Sequence, residues 1–132
     1  MAGRLSLEEL LYIHEAQIAA FGGAEGIRDR GLLESALARP SAAYGGQKAH
    51  RSPFARAAAL MEALIQNYGF VDCNKRTAAT AMILWLGREG YELDTSDEDL
   101  VEVAVGIAEH RVALDQLTAW IKQRGRLVRA DQ

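Results

Sequence analysis

The chain reads as an all-α fold of about six helices, and three features of the sequence predict it. Apolar residues recur at helical spacing in segment after segment. Several of these segments open on a Ser or Asp able to cap a helix, followed by acids or a proline in the first turn. One segment is apolar on more than one face, as a helix at the centre of a bundle must be.

Taken in order, Ser6 and Glu9 form a capping box that opens a stripe through Leu7, Leu10, Leu11, Ile13 or His14, Ile18 and Phe21, and Gly22 and Gly23 end that helix. His14 lies within it. With no carboxylate or cysteine at ligand spacing, it reads as a packed or capped structural residue. Residues 26–31 form a glycine-bounded turn without phosphate-loop spacing, and Asp29 caps a second helix carrying Leu32, Leu33, Ala36 and Leu37 up to Pro40. The next stretch, residues 40–51, holds Tyr44, Gly45 and Gly46 with little periodicity and reads as a surface loop. Ser52 and Pro53 start a third helix with Phe54, Ala57, Ala58, Met61, Leu64 and Ile65 inward.

A fourth helix, running through residues 77–89, is almost wholly apolar and takes the central place, with Gly90 closing it and residues 91–93 as a short extended connector. Ser96 caps a fifth, whose buried side is Leu100, Val101, Val103, Ala104 and Ile107. The sixth spans about residues 114–124 with Leu117, Trp120 and Ile121 inward. Lys122, Arg124, Arg126 and Arg129 make a basic tail, read as a solvated helix end or a patch for an acidic partner.

Composition bounds the function. At 132 residues, 49% hydrophobic and 25% charged, the chain is expected to be one domain spanning 1–132, with a core large enough to stand without staples. No apolar run approaches the roughly 20 residues that cross a bilayer, and the first residues lack a secretory apolar segment, so a cytoplasmic protein with no membrane contact is expected. The single cysteine, Cys73, excludes an intrachain disulfide and a cysteine-rich metal cluster. A formal net charge of −3 argues against direct nucleic-acid binding, which normally draws on a basic excess.

The chemistry is concentrated in residues 68–77, Y-G-F-V-D-C-N-K-R-T, between the third and fourth helices. Asp72 offers hard oxygens to a divalent cation. Asn74, Lys75 and Arg76 sit where the next helix begins, with unpaired backbone N–H groups and the positive end of the helix dipole behind them, a place that attracts phosphate. An acid and bases at a helix start can also be no more than a capped, salt-bridged terminus.

The run F-V-D-C-N-K-R-T-A resembles the core of the Fic/Doc family motif, H-x-F-x-D/E-G/A-N-G/K-R, and Lys75 after Asn74 gives it the Doc (death-on-curing) form. Residues 27–40 resemble the early block of Doc-type proteins, and the likeness spans about Leu5 to Arg124. It implies a compact Fic/Doc bundle with a flap, here residues 41–47, that helps dock the protein substrate over the active site. It also implies that Phe70 is a buried anchor, Cys73 takes the small Gly/Ala position, Asp72 holds Mg²⁺, and Asn74 and Arg76 contact phosphate. On that basis Tyr68, Asp72, Lys75 and Arg76 are the expected catalytic residues, and Asn74, Lys75, Arg76 and Thr77 the expected ATP-binding ones. Tyr68 stands where the motif has its catalytic histidine.

The Doc form implies a toxin of a toxin–antitoxin pair that transfers the γ-phosphate of ATP to a threonine of elongation factor Tu and is neutralised by a Phd-like antitoxin helix bound in a groove. A phenol titrates near 10 where a histidine titrates near 6.5, so phenolate as base costs roughly 4 kcal/mol, on the order of a thousandfold in rate. Tyr68 is thus a weakened base, a positioning donor or itself an acceptor. The alternatives are an inactive family member that binds nucleotide or a partner protein, and an AMP transferase of the Fic kind, in which a glycine stands where this chain has Lys75.

Overall fold

The computed structural model describes residues 4–128. Six α-helices account for most of them: α1 (Leu7–Phe21), α2 (Arg30–Ala38), α3 (Pro53–Asn67), α4 (Asn74–Arg88), α5 (Asp97–Ala108) and α6 (Leu114–Arg124). A 3₁₀ turn (Arg39–Ser41) follows α2, and four short strands, β1 (Ala43–Tyr44), β2 (Gln47–Lys48), β3 (Tyr91–Leu93) and β4 (Gly125–Leu127), pair antiparallel as β1–β2 and β3–β4.

The caps form as their side chains dictate. The Ser6 hydroxyl accepts from Glu9 N at 3.1 Å while the Glu9 carboxylate accepts from Ser6 N at 3.0 Å. Asp29, Ser52 and Ser96 each accept from the backbone three residues on.

Helices α3 and α4 are the centre. Along α3, Ala57, Ala58, Ala59 and Ala63 let neighbouring backbones approach, and Leu60, Met61, Leu64 and Ile65 fill the space between them. Along α4, Ala78, Ala81, Met82, Trp85 and Leu86 do the same. The far ends are locked together: Arg56 near the start of α3 meets the Glu89 carboxylate at 2.7 Å, and the Trp85 indole N–H donates to the same carboxylate at 2.6 Å. The hinge of this antiparallel pair is the 68–73 turn, so α4 presents its N-terminus there on a backbone held by the core.

Four expectations are corrected. Helix α4 is not covered all round, because Ile83 is 40% exposed; Phe21 of α1 and Val101 of α5, both expected inward, are 68% and 60% exposed. Residues 41–47 are not structureless: the turn at Gly45 and Gly46, both with positive φ, folds the segment into the β1–β2 hairpin. That hairpin is rooted beside the start of α3, where the His50 carbonyl accepts from Arg56, and the end of α4, where Lys48 lies near Glu89. The connector at residues 91–93 is extended as expected, and it is the tail that differs: residues 125–127 pair with it as β4, Arg126 bridging to Glu92 at 2.9 Å. Arg129 lies outside the described residues.

Candidate functional site

The turn between α3 and α4 is bounded by two residues in left-handed conformation, Tyr68 (φ 55°) at the end of α3 and Cys73 (φ 64°) at the start of α4. Neither is glycine, so both positions carry backbone strain that the surroundings must offset. The Asn74 amide closes the turn from inside, accepting from Phe70 N at 3.0 Å and donating to Phe70 O at 3.0 Å.

Residues 22–29 grip the turn from outside. The Gly69 carbonyl accepts from both Arg28 N (2.7 Å) and Asp29 N (3.0 Å), Val71 N donates to Gly26 O at 3.0 Å, and Ile27 bridges to Phe70. Gly69 has no room for a side chain: a Cβ would lie 2.4 Å from Leu33 Cδ2. The Arg28 guanidinium donates to the carbonyls of Asn67 and Tyr68 and sits 5.8 Å from the Tyr68 ring centroid, leaving the phenol about half exposed.

The Asp72 carboxylate faces solvent with both oxygens oriented, one accepting from Ala24 N at 2.9 Å and the other from Cys73 N at 2.8 Å. The Ala24 N–H, then the Cys73 N–H and the charge of Arg76 hold this carboxyl below the usual carboxylate range. Among the described residues there is no cluster of three His, Cys, Asp or Glu that could hold a metal by itself. Asp72 alone still suits Mg²⁺, which keeps several waters and takes one or two carboxylates plus substrate phosphates.

Beside Asp72, α4 begins with no side chain capping it, and its first intrahelical bond is that of Thr77 N to Cys73 O. The N–H groups of Asn74, Lys75 and Arg76 precede it, with the dipole's positive end behind them. Lys75 is exposed. Arg76 is half-buried, donating to Gly22 O at 2.9 Å and to Cys73 Sγ, with its guanidinium 5.5 Å from the Phe21 ring.

The structure therefore gathers Asp72, Lys75, Arg76 and the backbone of Asn74 at one solvent-facing tip, with Tyr68 at the other side of the same turn. Two expected nucleotide contacts point elsewhere. The Asn74 side chain is buried and spent on Phe70, so it shapes the turn. Thr77 is 1% exposed, and its hydroxyl lies in the core without a hydrogen-bond partner. Helical periodicity and glycine spacing predict His14 and residues 22–29 only as separate structural parts. His14 is indeed packed, but against the turn, and residues 22–29 supply its backbone partners. Pairings over forty residues or more leave no short-range spacing to find.

On the other flank of Lys75 and Arg76, an apolar groove of about 480 Å³ runs between α1, α4 and α5, lined among others by Phe21, Ile83 and Val101.

The family model described as "Fic/DOC family" matches residues 4–86, from before α1 through the turn and most of α4. "Toxin Doc" of Mycolicibacterium smegmatis is 40% identical over 91 residues, covering 64% of this chain and 70% of that protein. "Protein kinase doc" of Escherichia phage P1 is 29% identical over 119 residues, covering 90% of this chain and 93% of that one.

Proposed function

The chain belongs to the Fic/Doc family, and from that premise we propose that it is a Doc-like toxin of a toxin–antitoxin pair that transfers the γ-phosphate of ATP to a protein hydroxyl. The observation that carries the proposal is the pairing of an ionised, solvent-facing Asp72 with the uncapped positive end of α4 and the cations of Lys75 and Arg76. Phosphoryl transfer asks a protein mainly for positioning and charge stabilisation, and these are the groups for it.

In this reading Asp72 holds Mg²⁺, which when bound neutralises charge on the phosphate oxygens. The backbone N–H groups of residues 74–76 and the side chains of Lys75 and Arg76 take the remaining oxygens. Lys75, occupying the position where AMP-transferring relatives have glycine, favours γ-phosphate transfer over AMP transfer. Tyr68 orients the acceptor hydroxyl, with Arg28 fixing its backbone.

The groove supports the partner half of the proposal. Its apolar lining, with Lys75 and Arg76 at one edge, suits an amphipathic antitoxin helix of the Phd kind carrying an acid at one end. The protein substrate by family resemblance is elongation factor Tu.

A second reading is favoured by Tyr68 itself: a member that binds nucleotide and partner without turnover. One experiment separates the two. The parent chain, Tyr68→His and Arg76→Ala are incubated with γ-labelled ATP, Mg²⁺ and elongation factor Tu. Label transferred by the parent and lost in Arg76→Ala establishes the enzyme; label only with Tyr68→His establishes the non-catalytic form. No ATP binding at millimolar concentration sinks both.

A further inference from the structure

We infer that His14 is a positioning residue for the Asp72 end of the site, an assignment that rests on the phosphotransfer reading above and extends it. His14 is 4% exposed and lies in the middle of α1, more than fifty residues from the turn. Its Nε2 is 2.9 Å from the Asp72 carbonyl oxygen. A carbonyl can only accept, so Nε2 carries the proton and donates. The ring lies face to face on Phe70, centroids 3.8 Å apart and planes 4° from parallel. One side chain thus holds two residues of the turn, through its edge and through its face.

The consequence falls on the carboxylate. The direction in which Asp72 projects is set by its own peptide planes, and of the two carboxylate bonds one comes from Cys73 N, the amide of the peptide whose carbonyl His14 grips. Tilting that peptide moves both the carbonyl and the Cys73 N–H, and with them the carboxylate oxygen that the N–H orients. Asn74 fixes Phe70 from within the turn but makes no bond to the Asp72 peptide. His14 is the group on the opposite wall that does. A single magnesium-holding carboxylate tolerates little misplacement, because Mg²⁺ demands near-octahedral geometry.

Two substitutions separate the two contacts. His14→Phe keeps a ring to stack on Phe70 and removes the donor. His14→Gln keeps an amide N–H close to the Nε2 position and removes the stack. Melting temperature and ATP affinity, the latter with Mg²⁺ and in EDTA, are measured for the parent and both variants. The expected result is that His14→Phe remains folded and binds ATP in EDTA within about threefold of the parent, yet loses tenfold or more of the affinity that Mg²⁺ adds, while His14→Gln recovers most of that increment.

The assignment is overturned if His14→Phe keeps the parent's magnesium increment, if it loses affinity equally with and without Mg²⁺, or if neither variant folds while Phe70→Leu, which also removes the stack, folds with the increment intact. A parent that binds no ATP in either condition overturns the phosphotransfer reading as well. That result is distinct from the others, in which the parent gains affinity with Mg²⁺ and only the role of His14 fails.

Discussion

Cys73 and Gly23 form a contact in which one residue's size is set by the other. Gly23 has φ 129°, and a Cβ there would lie 2.5 Å from Cys73 Sγ and 3.0 Å from Asp72 Oδ2. Gly23→Ala is therefore expected to destabilise the chain by about 1–3 kcal/mol, read from urea unfolding, and, if Asp72 serves ATP as proposed, to weaken ATP binding by moving it. Adding Cys73→Gly removes the nearest obstacle and also relieves the left-handed strain at φ 64°. The double variant should recover about 0.5 kcal/mol or more beyond additivity; strict additivity would refute the contact. Asn74→Ala strands two buried backbone groups of Phe70 and should cost about 2 kcal/mol or more in the same assay. That Asp72, Lys75 and Arg76 stand together at the start of α4 is legible in the sequence, because they fall within five consecutive residues. The sequence hid the job of the Asn74 side chain, since an amide that clamps its own turn and one that reaches out for phosphate have the same one-letter code.

Helix boundaries were readable because caps are local: Ser6 with Glu9, Asp29, Ser52 and Ser96 each act within three residues. What joins one helix to another was not. Glu9 shows the difference, for beyond its part in the α1 cap it pairs with Arg88 near the end of α4, whose other amine also donates to it at 3.0 Å. The Arg88 bond first, then the Ser6 N–H, lowers the Glu9 carboxyl from 4.5 to about 2. A depressed folded-state value stabilises the protein above the unfolded pKa, so this contribution is complete above about pH 4.5 and is lost as pH falls toward 2. The pair is partly solvent-exposed, which limits it to under about 1 kcal/mol. Glu9→Gln keeps an acceptor for the cap and removes the charge. It should lower stability slightly at pH 7 and flatten the stability curve between pH 4.5 and 2, measured by urea unfolding across that range; an unchanged acid slope would mean the pair contributes nothing.

At the scale of the molecule, the α3–α4 pair is fastened at both ends, by the gripped turn at one and by Arg56 with Glu89 at the other. The second is partly buried, with side chains 17% and 9% exposed, so Glu89→Ala leaves a guanidinium without its charge partner and should cost about 2 kcal/mol, read as a fall in melting temperature. Between these ends α4 has one uncovered side. Periodicity predicts Phe21 and Val101 in the core because an apolar stripe reports which face is greasy, not whether this chain or another covers it. Here the chain leaves that face open as a groove between α1, α4 and α5. Val101 is 60% exposed, so Val101→Lys is expected to shift stability by no more than about 0.5 kcal/mol, whereas Ile83, only 40% exposed, gives up shielded apolar surface in Ile83→Asp at a cost of about 1 kcal/mol. If the groove receives an antitoxin helix, either change should weaken that complex tenfold or more in a titration with the antitoxin peptide, since a charge would be buried without a partner. If the free protein is a phosphotransferase as proposed, that activity should persist in Val101→Lys, because α5 contributes no group to the 68–76 turn. Loss of that activity with the peptide affinity unchanged would place the antitoxin elsewhere and make the groove part of the catalytic surface.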